Sequence, residues 1–137
     1  MKELRDNSGL VVAFVLNTDD YIQWKGKQFF SDPDDSIQIG SLFFKKDAAV
    51  SPHLHKKRYV GMVAPMEVLV VVQGEAVAHI YDNDKSEIAI EVLHSGDVLV
   101  QRTGGHGFKF VTSDTLILEV KSGPYVDKSG DKELILQ

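Results

Sequence analysis

Short apolar runs separated by turn-forming residues set the pattern of this chain. Residues 10–16 are apolar and rich in Val, which predicts a strand, and Asn17-Thr18-Asp19-Asp20 closes it as a turn. Residues 21–30 predict another short strand or hairpin, interrupted at Lys25-Gly26-Lys27. The cluster Ser31-Asp32-Pro33-Asp34-Asp35-Ser36 is dense in turn formers. Strand character returns over 37–44, with Ile37, Ile39, Ser41 and Phe43 on one face. Residues 66–72 hold five aliphatics beside Glu67, Gly74 ends the run, and 76–81 is expected to pair with it across a tight turn. Further strands are expected over 88–93 and 98–101, then from the Gly104-Gly105 corner to Val111, and over 115–120. Residues 134–136 read as a short returning strand.

No stretch carries a helical period. Many short strands with turn signals at roughly eight- to twelve-residue spacing predict an all-β sandwich or barrel. The uninterrupted run Val68-Leu69-Val70-Val71-Val72 predicts a strand covered on both faces. A second subunit or the chain's own N-terminal strands could supply that cover, and the sequence leaves the two open.

A length of 137 residues is that of one domain with a sizeable core. An apolar fraction of 43% and a charged fraction of 26% are ordinary for a globular protein. With no cysteine there is neither a disulfide nor a thiolate site, so a transition metal would have to be held by His, Asp or Glu. The charged start, Met1-Lys2-Glu3-Leu4-Arg5-Asp6-Asn7, lacks the apolar segment of a secretion signal, and no run approaches a membrane span. A cytoplasmic location is therefore expected. A formal net charge of −5 argues against a nucleic-acid binder. The basic cluster Lys56-Lys57-Arg58 reads by itself as a solvated loop.

Candidate chemistry gathers at three places. His53 and His55 lie two residues apart, so in an extended strand both imidazoles project from one face and could ligate one ion. Glu67 interrupts an aliphatic strand whose Leu69 and Val71 share its face, and a carboxylate buried there needs a partner or a cation. His106 follows two glycines and shares its face with Phe108 and Phe110. His79 alternates with Val77 and Tyr81, opposite Ala76, Ala78 and Ile80, and is expected outside the core. His94, in a turn, is expected to be solvated.

The segments His53-x-His55 to Glu67-x6-Gly74 and Gly96-x5-Arg102-Thr103-Gly104-Gly105-His106 resemble the two signature motifs of the cupin superfamily. Those motifs have the forms G-x5-H-x-H-x3,4-E-x6-G and G-x5-P-x-G-x2-H-x3-N. The resemblance implies a double-stranded β-helix (a jelly-roll barrel) in a single domain. Strands within about 10–44 would flank it, and the motif core would span about 45–125. It further implies one divalent transition metal per chain (Mn, Fe, Zn, Ni or Co) held by His53, His55, Glu67 and His106.

The departures are specific. Eleven residues separate His55 from Glu67 where the family has three or four, Asp47 replaces the first glycine, and Arg102 replaces the proline. One residue, Gly105, rather than two separates Gly104 from His106, and Phe110 stands at the final asparagine position. From Gln28 onward the chain also resembles small single-domain cupins encoded among bacterial polysaccharide and nucleotide-sugar genes. The shared residues include Gly104-Gly105-His106-Gly107-Phe108 and Glu119-Val120-Lys121-Ser122-Gly123-Pro124-Tyr125.

That likeness implies a metal-dependent enzyme, isomerase- or epimerase-like, acting on a sugar or nucleotide sugar. Arg58, Arg102, Lys121 and Tyr125 are candidate substrate-binding residues, since cations at a barrel mouth attract carboxylate or phosphate. His53 and His106 are candidate acid–base groups in a metal-free variant of the chemistry. The alternatives are a non-catalytic small-ligand binding or sensing barrel and an iron-dependent dioxygenase. A homodimer is expected from the likeness to cupins that pair through their sheets.

Overall fold

Leu99 and Val100 are consecutive and both fully buried, which requires cover on both faces of their strand. The structure, a computed structural model, describes residues 1–22, 26–44, 48–49, 51–53, 65–122 and 135. Within these lie ten strands and one short helix, an all-β chain. The strands are β1 (Lys2–Arg5), β2 (Val11–Leu16), β3 (Gly26–Phe29), β4 (Gly40–Phe43), β5 (Glu67–Gln73), β6 (Glu75–Tyr81), β7 (Glu87–His94), β8 (Val98–Gln101), β9 (Gly105–Phe110) and β10 (Leu116–Lys121). The helix, α1, is Thr18–Ile22.

Three antiparallel sheets result. One has five strands in the order β1-β2-β8-β5-β10, one has three in the order β7-β6-β9, and β3 pairs with β4 alone. The first two face each other across an apolar interior. Leu69, Val71 and Leu99 from the five-stranded sheet meet Ala78, Ile80 and Leu93 from the three-stranded one, with Phe108 and Ile117 packed against them. The opposite face of the five-stranded sheet carries a second cluster of Phe14, Leu16, Val68 and Val100, against which Phe30, Ile37 and Ile39 pack. Cover for much of the β5 run therefore comes from the chain's own N-terminal third, while Val72 stays 49% exposed.

Two expectations need correction. Residues 18–22 form a helical turn, not the end of a turn and the start of a strand. Asp20 Oδ2 accepts a hydrogen bond from the Asn17 backbone N–H (2.9 Å) and the Asp20 N–H donates to the Asn17 carbonyl oxygen (2.9 Å), which starts the turn of helix. Second, β5 and β6 do not pair, although only Gly74 separates them. Gly74 has φ +85°, and the end of β5 is held by the turn before β8 through Val71 N–H to Asp97 O (3.0 Å) and Gly96 N–H to Val71 O (2.7 Å). The chain leaves one sheet there and enters the facing one. A strand not anticipated from the sequence, β1, arises from a charged segment in which Leu4 alone is buried, too little alternation to mark it. Of residues 134–136 only Ile135 is described, and it is not in a strand.

Candidate functional site

Alternation brings chemistry to one end of the interior. Along β8, Val98 and Val100 join the outer cluster and Leu99 the inner one, so Gln101 is on the inner face. Along β5, Val68 and Val70 lie outward and Leu69 and Val71 inward, which turns Glu67 inward. Glu67 is registered against Gln101 on one side and Lys121 of β10 on the other. Three polar side chains from adjacent strands thus share the same level of the same face.

From the facing sheet, His106 of β9 shares its side of the strand with Phe108, a core residue, and lies opposite Ile80. Its Nε2 stands 3.4 Å from Glu67 Oε2, and the two side chains are 15% and 18% exposed. This pair spans the gap between the two sheets. Its separation is that of an ion pair and is longer than a normal hydrogen bond. The Phe108 ring lies 5.0 Å from the imidazole, centroid to centroid, and forms an apolar wall behind it. With most water excluded, the pair interacts more strongly than it would at the surface.

The corner before β9 sets the position of His106. Gly104 has φ +72°, and a Cβ there would sit on the carbonyl oxygen of Tyr81. Only glycine meets both constraints without strain. The Gly104 N–H donates to Asn83 Oδ1 (3.1 Å), which ties the corner to the β6–β7 turn.

The other expected site residues fall elsewhere. His53 is exposed, with Nδ1 2.8 Å from the Ser51 carbonyl oxygen. His55, Arg58 and Tyr125 lie outside the described residues, as do the other two members of the basic cluster. Arg102 is in an ion pair with Asp35 on the outer side of the five-stranded sheet. Its Nε and Nη2 donate to Asp35 Oδ1 at 3.0 and 2.7 Å, and the Asp35 side chain is 8% exposed. Together with Phe14, Phe30 and Asp32 they line an open cavity of about 220 Å³. None of the lining residues of this cavity is Glu67 or His106, so it is a separate feature. Of the four candidate substrate-binding residues, Lys121 is the one the described structure puts beside Glu67.

His79 is on the outer face of the three-stranded sheet, paired with Glu87 at 2.8 Å. His94 is 62% exposed and 3.0 Å from Glu75. Both fit their expected places outside the core. Among the described residues no three His, Asp or Glu side chains converge on one point. Glu67 and His106 are nonetheless a carboxylate oxygen and an imidazole nitrogen aimed at the same gap, a donor pair that suits a first-row divalent ion.

The residue missed in the sequence is Gln101. It is 4% exposed, its Nε2 donates to the Thr103 carbonyl, and its Oε1 is buried without a hydrogen-bond partner among the described residues. Its inward parity in a strand of Val and Leu was the available signal.

Comparison of the chain with protein-family models, with curated proteins and with solved structures found no match.

Proposed function

We propose that this chain is a cupin-like double-stranded β-helix whose metal site, in the mouth between the two sheets, serves an enzyme acting on a small polar substrate such as a sugar or nucleotide sugar. The observation that carries the reading is the Glu67–His106 pair, mostly buried and contributed by strands of opposite sheets. A buried carboxylate and imidazole in an apolar interior cost stability unless they serve each other or a ligand. The cupin resemblance adds His53 and His55 to the ligand set, although His53 as described is exposed and does not converge with this pair. When bound, a divalent transition ion supplies Lewis acidity to a substrate oxygen.

The remaining roles belong to the chain. Glu67 and His106 hold the ion from opposite sheets. Lys121, beside Glu67 in the ladder, offsets the carboxylate's charge and attracts an anionic substrate group such as a phosphate. Leu69 and Phe108 keep the inner wall apolar. Elemental analysis of the purified protein beside His53→Ala/His106→Ala is the first test. The second is solvent-deuterium exchange into a panel of nucleotide sugars, followed by NMR. Near-stoichiometric metal lost in the double variant, with exchange at one sugar carbon, is the expected result. No exchange across the panel would remove the isomerase reading.

A second reading rests on the same pair. A carboxylate beside an imidazole orients it, the arrangement of a general acid–base group. His106 would then move the substrate proton without an ion. Exchange that survives thorough chelation is its signature, and loss of exchange on chelation removes it.

A further inference from the structure

We infer that Gln101 belongs to the Glu67–His106 site, where its Oε1 accepts a hydrogen bond from a water or hydroxyl group held by the site's occupant. The inference rests on the metal-site reading above and adds a residue to it.

The orientation of the amide follows from chemistry. Nε2 faces the Thr103 carbonyl oxygen. Turning the amide over would set two acceptors against each other, so Oε1 must be the end left over. That oxygen is buried without a donor among the described residues, in a side chain that is 4% exposed. Buried carbonyl oxygens are nearly always paired, and one left alone costs stability. Nothing about strand formation demands this cost. Leu99, two residues earlier on the same face, shows that an apolar side chain fills the interior well.

What surrounds Oε1 defines its missing partner. Gln101 is registered directly against Glu67, and Glu67 faces His106 at 3.4 Å. Its other ladder neighbour, Ala13, has no side-chain donor. A carboxylate and an amide oxygen are both acceptors and cannot serve each other, so the partner of Oε1 must be a donor. Because Oε1 itself is covered, that group must be small, such as a water or a single hydroxyl. Gln101 is thus a positioning residue, fixing the occupant of the site through the group it accepts from.

The test compares wild type, Gln101→Met, Gln101→Glu and Glu67→Gln, each first stripped of metal. Zn2+ affinity is measured by competition titration, the Co2+ complex by its visible absorption bands, and the metal-free melting temperature by circular dichroism. Gln101→Met removes the acceptor at similar volume and should weaken Zn2+ binding about 10- to 100-fold, the usual effect of losing a partner just outside the ligands. Its Co2+ bands should shift. Gln101→Glu keeps an acceptor oxygen but loses the Nε2 donor, and should bind within a few-fold of wild type or more tightly.

A merely structural Gln101 would lower the metal-free melting temperature in both variants and leave affinity and bands unchanged. That result overturns the inference, while loss of binding in Glu67→Gln would leave the site itself standing. Should Gln101→Met not fold, Gln101→Glu decides: binding lost with the acceptor present overturns the inference. A wild-type protein that binds neither ion overturns this inference and the metal-site reading together.

Discussion

Glu67 and Asp97 show two ways in which a carboxylate is kept inside this molecule. Asp97 is 5% exposed and fully served by the protein. Its Oδ1 accepts from Asn17 Nδ2 and its Oδ2 from the His94 backbone N–H, both at 2.8 Å. Asp97→Ala should destabilise the fold by about 2–3 kcal/mol, since hydrogen bonds to a charged group are the strong ones, and urea unfolding would measure it. Among the described residues Glu67 has instead one partner at ion-pair distance, His106. Glu67→Gln should therefore change the melting temperature little and lower divalent-ion affinity by at least tenfold. Arg102→Met separates the two faces of the sheet. It leaves the buried Asp35 carboxylate without its cation and should cost about 1–3 kcal/mol, with ion affinity unchanged. Arg102 in the role expected from the sequence would alter ligand binding instead.

The turn after β1 carries a pH signature. Asp6 is held below its ordinary value of 3.8, chiefly by the Ser8 hydroxyl, with the Leu10 and Ser8 backbone N–H groups adding to it. A depressed native value means that its contribution is complete above the unfolded value and is lost as pH falls through the native one. An NMR acid titration of the Ser8 amide should show a midpoint below 3.8, and Asp6→Asn should abolish it.

Among the elements, β2 and β8 lie deepest, each with a strand on both sides and apolar layers on both faces. Native-state hydrogen exchange should find the Leu99 and Val100 amides among the slowest and those of the two-stranded β3–β4 sheet faster. The Gly104 corner is the sharpest local constraint. Gly104→Ala should cost about 1–3 kcal/mol from the positive φ alone, and more from the clash with the Tyr81 carbonyl. Because His106 follows directly, the same variant should weaken ion binding. Gly107, which has open space above it, provides the control: Gly107→Ala on the same strand should do neither.

Over the whole molecule, the two faces of the five-stranded sheet have different tasks. The inner face ends in the polar group of Gln101, Glu67 and Lys121. The outer face is apolar and covered by the N-terminal third near β8, yet left bare toward β10, where Leu116 and Leu118 are each 56% exposed and Val120 49%. A homodimer through this stripe predicts that Leu118→Lys halves the mass measured by light scattering without lowering the melting temperature. An unchanged mass would place any pairing elsewhere. Among the described residues no helix is long and apolar enough to cross a membrane.

Much was legible before the structure. Local alternation located β2, β5 to β8 and β10 within a few residues, because a strand's side-chain period of two is written directly in the order of residues. The same parity put Leu69 and Val71 on Glu67's side, Phe108 on that of His106, and His79 outside. Other facts needed the tertiary structure. Which strands pair depends on where the chain crosses between sheets, and Gly74 permits a hairpin and a crossover equally well. Only the contact with the Gly96–Asp97 turn decides. The ion pair of Arg102 was not legible because nothing nearby in sequence reveals Asp35, its partner, sixty-seven residues earlier. Gln101 was overlooked because a single polar residue at a strand end is ordinary until its neighbours across the ladder are known. Sequence order determines which side of a strand a residue takes. What it meets there is decided by the sheet laid opposite.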